Sequence, residues 1–250
     1  MRRRWCHALF ALLLAWESAG AEQLRMAANL WPPFTDARLA GNGLAVELVS
    51  TALKRAGHTT VYAEVPWARA LRGLEEGDYD LLVSAWYNEE RARFGLFSKP
   101  YLTNRILFLK RKDTPVEFAS LADLRDYSIA VGRGYRYGQA FDNDPALTRV
   151  PVVDFQMAAR MLAAGRVQVA LEDELVARFY LNRDLKGISD QLEFLPKPLS
   201  ENGLHILVRR SHPRHQQLVE EFDRAMRAMR EDGTYQAIFA RHGLPAAEPR

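Results

Sequence analysis

Arg91 closes a stretch in which an apolar run gives way to a helix start, Tyr79-Asp-Leu-Leu-Val-Ser-Ala-Trp-Tyr-Asn-Glu-Glu-Arg91. Leu81, Leu82 and Val83 follow the turn signal Glu76-Gly77-Asp78, which predicts a short buried strand. Asn88 suits an N-cap, and Glu89 and Glu90 suit the positive end of a helix. Ligands of open α/β sheets sit beyond the carboxyl ends of the strands. An Arg at such a point can hold a carboxylate through two parallel N–H bonds. The competing expectation is an Arg on a solvated helix face, paired with Asp or Glu.

Other residues carry weaker chemistry. Asp173 follows the apolar run Val167 to Leu171. An Asp there either caps the next helix or offers its carboxylate to a cation, and the two roles are compatible. Its neighbours Glu172 and Glu174 are expected to be helix-dipole partners. Trp31-Pro-Pro-Phe34 sets two aromatics off regular structure, which favours a cleft position for Trp31 over a core one. Trp86, after its apolar strand, suits core and cleft equally. Gly132, Gly134 and Gly138 are spaced one residue too long for the dinucleotide fingerprint. Pro213 separates His212 from His215 and no third ligand is evident, so no metal site is expected. Neither a Gly-x-Ser-x-Gly elbow nor a Ser/His/Asp set is evident. No cofactor and no catalytic residue are expected.

Composition narrows the setting. Arg2, Arg3 and Arg4 precede an apolar run, Ala8 to Ala15, too short to span a bilayer, and Ala19-Gly-Ala21 is a small-residue cleavage signal. Residues 1–21 thus read as a secretory signal cleaved after Ala21. The single cysteine, Cys6, lies inside it, so the mature chain carries no thiol nucleophile or ligand. Loss of three Arg and one Glu with the signal lowers the formal charge from +3 to +1, which argues against a nucleic-acid surface.

The elements that would position these residues alternate. Strands are expected over Arg25 to Leu30, Thr59 to Val65 and Leu81 to Val83. Between them lie a helix carrying Leu44, Leu48, Val49, Ala52 and Leu53, and one started by Pro66. Arg105 to Leu109 is a further strand, followed by a second set at Ser128 to Val131, Val150 to Val153, Val167 to Leu171 and Gly203 to Val208. Met157 to Ala164 is a helix, and two helices marked by Leu218, Phe222, Met226 and Met229, then by Tyr235, Ile238 and Phe239, end the chain. This is an α/β chain with mostly parallel sheets.

The order of these parts resembles the periplasmic solute-binding proteins of polar amino-acid importers, family 3. The resemblance covers nearly all of residues 24–244. It rests on Trp31-Pro-Pro-Phe34, Gly77-Asp-Tyr-Asp-Leu81, Glu90-Arg91-Ala92, Phe97-Ser-Lys-Pro-Tyr101, Gly165-Arg-Val with Asp173 eight residues on, and Asp232-Gly-Thr-Tyr235. It implies a two-lobed type II periplasmic-binding-protein fold with two hinge crossovers. Residues 22–104 and 211–250 would form one lobe and 105–210 the other, with a ligand trapped as they close.

Carried over residue by residue, the resemblance implies that Arg91 grips an α-carboxylate and Asp173 takes an α-ammonium. Trp31 would pack on the ligand's side, and Ser84 would lie among small polar residues at the strand end. Tyr135 and Arg136 would lie on a second-lobe loop whose backbone donors help hold the carboxylate. Trp86 and Tyr87 depart from the family's small or hydroxyl residues and imply a narrower, more aromatic pocket. The implied function is a monomeric periplasmic protein that traps a small zwitterion and delivers it to an inner-membrane ABC permease, with no covalent chemistry. The alternatives are an enzyme like the cyclohexadienyl dehydratases, which resemble this family, and a sensory or accessory ligand-binding protein.

Overall fold

The computed structural model describes residues 22–133, 135 and 137–246; the signal segment lies outside them. The chain starts with β1 (Gln23–Ala28), α1 (Leu44–Arg55), β2 (Thr59–Glu64), α2 (Trp67–Glu76) and β3 (Leu81–Trp86). β1 pairs in parallel with both β2 and β3. Period-two alternation decides what each face buries. Leu24, Met26, Leu81 and Val83 face one core with α1, while Ala27 and Leu82 face another with Ala70 and Leu74 of α2; a register shift in the pairing with the strand Ser200–Arg209 puts Ala85 on this second face too. Helix α2 stops at Gly77, whose φ of 87° is the left-handed conformation that glycine enters without a Cβ penalty. A one-turn helix, α3 (Glu89–Ala92), and a short strand, β4 (Gly95–Phe97), follow.

The second half opens with the long strand β5 (Leu102–Arg111). It continues through β6 (Ser128–Gly132), α4 (Gln139–Asp142), β7 (Thr148–Val152), α5 (Phe155–Ala163), β8 (Val169–Asp173), α6 (Glu174–Leu181), α7 (Lys186–Ser189) and β9 (Leu192–Phe194). β6 is parallel to β7 and β8, and cores lie on both sides of these strands. The chain returns through β10 (Ser200–Arg209) to α8 (His215–Glu231) and α9 (Thr234–Arg241). Leu218, Phe222, Met226, Tyr235, Ile238 and Phe239 pack those two helices onto α1.

The expected strands and helices form, with the longest strands extended beyond the apolar runs that signalled them. What the alternation did not convey is the joint. β10 is antiparallel to β3 and β4, and it pairs antiparallel with the start of β5 from Ser200↔Ile106 to Leu204↔Leu102. β5 in turn lies antiparallel to β8. The strand order is therefore one continuous mixed path, β2-β1-β3-β10-β5-β8-β6-β7, with β4 on β10 and β9 on β5. The parallel sheets form its two flanks.

One buried carboxylate ties the first flank together. Asp80, at the entry to β3, accepts from the backbone N–H of Arg25 at 2.9 Å and from its guanidinium at 3.0 and 3.1 Å, and from Arg209 of β10 at 3.1 and 3.2 Å. Burial pushes this carboxyl up, and the bonds from the two arginines outweigh burial and hold it below its usual value. A depressed folded value means that its stabilisation is complete above the unfolded value of about 3.9 and is lost as pH falls through the folded one. Asp80→Asn should cost about 1–3 kcal/mol at neutral pH. In urea titrations, its deficit against wild type should shrink as pH falls below about 4; a pH-independent deficit would exclude the charge as its cause.

Candidate functional site

The carboxyl end of β3 builds the site. The Asn88 side chain accepts from the backbone N–H of Glu90 at 2.9 Å and of Arg91 at 3.2 Å, so the capped turn expected from the sequence forms. That turn carries Arg91 back over the strand end. Its Nη1 donates to the Trp86 carbonyl at 3.0 Å, and its guanidinium carbon lies 5.0 Å from the centre of the Trp67 ring. Burial lowers the Arg91 pKa and Glu90 opposes the shift, yet no carboxylate among the described residues forms an ion pair with it. The group stays a cation with N–H donors to spare.

These donors face a cavity of about 230 Å³. Asn29 and Trp31 reach it from the end of β1, Trp67 from the start of α2, and Ser84 and Trp86 from β3. Tyr135 enters from the loop after β6, so both flanks of the sheet contribute. Trp31 packs on Phe34 at 4.5 Å between ring centroids and meets Trp86 edge-on at 5.9 Å. The Ser84 hydroxyl and the Trp31 indole nitrogen are both buried, and neither has a hydrogen-bond partner among the described residues. An unmet buried donor is costly, and such groups in a cavity are suited to a ligand's acceptor atoms.

Asp173 lies on another path. It ends β8, and its Oδ1 caps α6 by accepting from the N–H groups of Leu175 and Val176 at 2.9 and 3.0 Å. Its Oδ2 accepts from the Asn104 amide at 2.9 Å, and Asn104 Oδ1 accepts from Trp86 Nε1 at 2.8 Å. The chain Trp86–Asn104–Asp173 thus links the cavity wall to the acid across β5. Asp173 is 1% exposed and does not line the cavity. Burial, opposed by the cap and Asn104 bonds, pushes Asp173 up to about 6, and burial pushes its neighbour Glu172 up to about 8.

Of the residues singled out from the sequence, Arg91, Trp31, Ser84, Trp86 and Tyr135 come together. Asp173 serves as the cap, and Arg136 lies outside the described residues. Tyr87 is 62% exposed and packs on Phe97 instead of walling the cavity. Asn29, Trp67 and Asn104 went unnoticed. Asn29 immediately follows the first strand and Trp67 follows the helix-starting Pro66, two signals that would have found them. Only pairing across β5 reveals Asn104. His212 bonds Glu22 and His215 bonds the His212 carbonyl; among the described residues no His, Cys, Asp or Glu cluster could hold a metal.

Residues 24–245 match the model of the bacterial extracellular solute-binding proteins, family 3. The chain belongs to that family. A putative ABC transporter arginine-binding protein of Escherichia coli K12 is 26% identical over 92% of this chain and 96% of its own length. The L-cystine-binding protein TcyA of Bacillus subtilis 168 is 24% identical over 78% of this chain and 70% of its own. A solved ancestral cationic amino-acid solute-binding protein superposes with a TM-score of 0.71 at 22% identity, covering 88% of this chain and 94% of that one. The fold of this family 3 member is accordingly the two-lobed type II periplasmic-binding fold.

The acids beside the site carry a pH signature. For Glu172 the folded value lies above the unfolded one of about 4.3. Its contribution is fully present below the unfolded value and is lost as pH rises toward about 8. Glu172→Gln keeps an acceptor for the Asp173 N–H that Glu172 Oε1 now holds at 2.9 Å. Relative to wild type, its melting temperature should therefore climb as pH goes from about 5 to about 8. A flat difference across that range would mean that Glu172 is ionised without penalty.

Proposed function

We propose that this protein captures an amino acid through its carboxylate at Arg91, closes on it, and hands it to an ABC importer. The single observation behind this is the half-buried Arg91 guanidinium, which has no acidic partner among the described residues and faces a cavity at a strand's carboxyl end. The similarity to amino-acid-binding proteins of ABC transporters supports the ligand class and the permease partner. The basic segment and apolar run before Ala21 support export to the periplasm with cleavage there. Ligand trapping without covalent change is supported by the similarity to arginine- and cystine-binding proteins.

In this proposal the two flanks of the sheet are the lobes, residues 22–104 with 211–250 and residues 105–210, and β5 and β10 are the crossovers. The register supports a return crossing at Ser200–Leu204, because the following residues of β10 pair with β3 and β4. Tyr135 would then close over the ligand from the second lobe. Asp173 takes the ammonium on closure, at the expense of its Asn104 bond.

A thermal-shift panel of L-amino acids should identify a ligand, since about a hundred times its Kd adds roughly 2.7 kcal/mol of stability. In calorimetric titration with that ligand, Arg91→Ala should cost about 2–5 kcal/mol of binding. Arg91→Lys should not restore it, because a point charge lacks the two-pronged contact. Equal affinities for wild type and Arg91→Ala would remove the carboxylate assignment. Asp173→Asn keeps the cap but sets its NH2 against the Asn104 amide, so it should cost about 1–3 kcal/mol of unliganded stability, and in the folded protein it should weaken the zwitterion about tenfold, or 1.4 kcal/mol. Unchanged binding would leave Asp173 a cap only.

A further inference from the structure

The residues around Arg91 decide more than where a carboxylate sits. We infer that the amino acid held here carries a neutral aromatic side chain and not a cationic one, an inference that rests on the proposed grip of Arg91 on the carboxylate. Three indoles, Trp31, Trp67 and Trp86, and the phenol ring of Tyr135 supply most of the wall, and among the described residues Arg91 is its only charged side chain.

A guanidinium or ammonium tail needs a counter-charge when it leaves water, because burying an unpaired ion costs several kcal/mol. Among the described residues no carboxylate lines the cavity, and Glu90, which acts on Arg91 from the same turn, is exposed to solvent. Asp173 holds two helix N–H groups and the Asn104 amide, and both acids beside β8 are drawn toward their neutral forms by burial. Asp36 pairs with Arg38 at 2.9 Å, and Glu64 accepts from the Ala37 N–H at 2.9 Å. Cation–π attraction remains for a cationic tail, but Trp67 already carries Arg91, and a tail at Trp31, Trp86 or Tyr135 would be buried without a counter-charge. A second cation at that ring would also meet Arg91 as a like charge.

A neutral aryl group meets none of these costs. It stacks edge-on or offset against indoles, as Trp31 and Trp86 already do with each other. The N–H donors that Arg91 does not give to the Trp86 carbonyl then serve the ligand's carboxylate lone pairs.

The test is calorimetric titration of the purified protein with L-phenylalanine, L-tyrosine, L-tryptophan, L-arginine, L-lysine and 3-phenylpropanoate. At least one aryl amino acid should bind about tenfold or more tighter than arginine and lysine. Trp67→Ala should lose most of that preference and Trp67→Phe should recover it. Arginine or lysine binding as tightly as every aryl amino acid would overturn the aromatic inference and leave the carboxylate grip standing. Binding of 3-phenylpropanoate as tight as phenylalanine would keep the aromatic inference and remove the zwitterion from the proposed function. No binding by any member of the panel would overturn the aromatic inference, and a hit among the other L-amino acids would leave the carboxylate grip standing.

Discussion

The antiparallel pairing of β5 with β10 is the constraint on which the rest of this molecule depends. Each strand is long enough to serve both flanks: β10 leaves β5 at Leu204 to pair with β3 and β4, and β5 continues beyond Ile106 against β8 and β9. Parallel strands need crossover connections, and each flank builds its own from helices that bury separate cores. Only the antiparallel pair can hand the sheet from one flank to the other without a further crossover. The cavity lies where this handover brings the end of β3 near the loop after β6.

Charge is distributed unevenly around that joint. Arg25 and Arg209 share Asp80, and Arg105 bonds both Glu174 and Glu201. Arg178 bonds Glu174 as well, within the same helix. Against this background Arg91 stands out, since it is half-buried and bonded to a backbone carbonyl and an aromatic face. A cation kept so lowers the fold's own stability, because desolvation is not offset by an ion pair. Such an arrangement persists where an outside anion completes it, which is the physical content of a binding site.

Much of this was legible along the chain because it is local. The Asn88 cap, the apolar run of β3 and the stop at Gly77 are short-range signals, and they fix Arg91 at a strand end whatever the tertiary contacts. Trp31 was legible because two prolines hold it off regular structure. What failed to show was non-local. Tyr87 and Trp86 are adjacent, yet the alternation of an extended chain sends one to the cavity and the other outward onto Phe97. Asn104 acquires meaning only from strands distant in sequence. The antiparallel joint was hidden because hydrophobic alternation reports which face of a strand is buried but not which way its neighbour runs.

Asp173 shows how a family position can be held in reserve. Its carboxylate is satisfied at both oxygens, and Trp86 fixes the orientation of the Asn104 amide that reaches it. In the proposed closure an incoming ammonium would have to compete with that amide. A charge-assisted bond is roughly twice as strong as the neutral kind, and an ionised Asp173 prefers a cation to an amide dipole. The proposed exchange would also oppose the effect of burial that lifts this acid to about 6, since a positive neighbour favours its charged form. Ligand charge, ionisation of Asp173 and release of Asn104 from that carboxylate therefore favour one another. Through the indole bond to Asn104, the same exchange bears on the orientation of Trp86, which ties the aromatic wall of the cavity to the acid behind it.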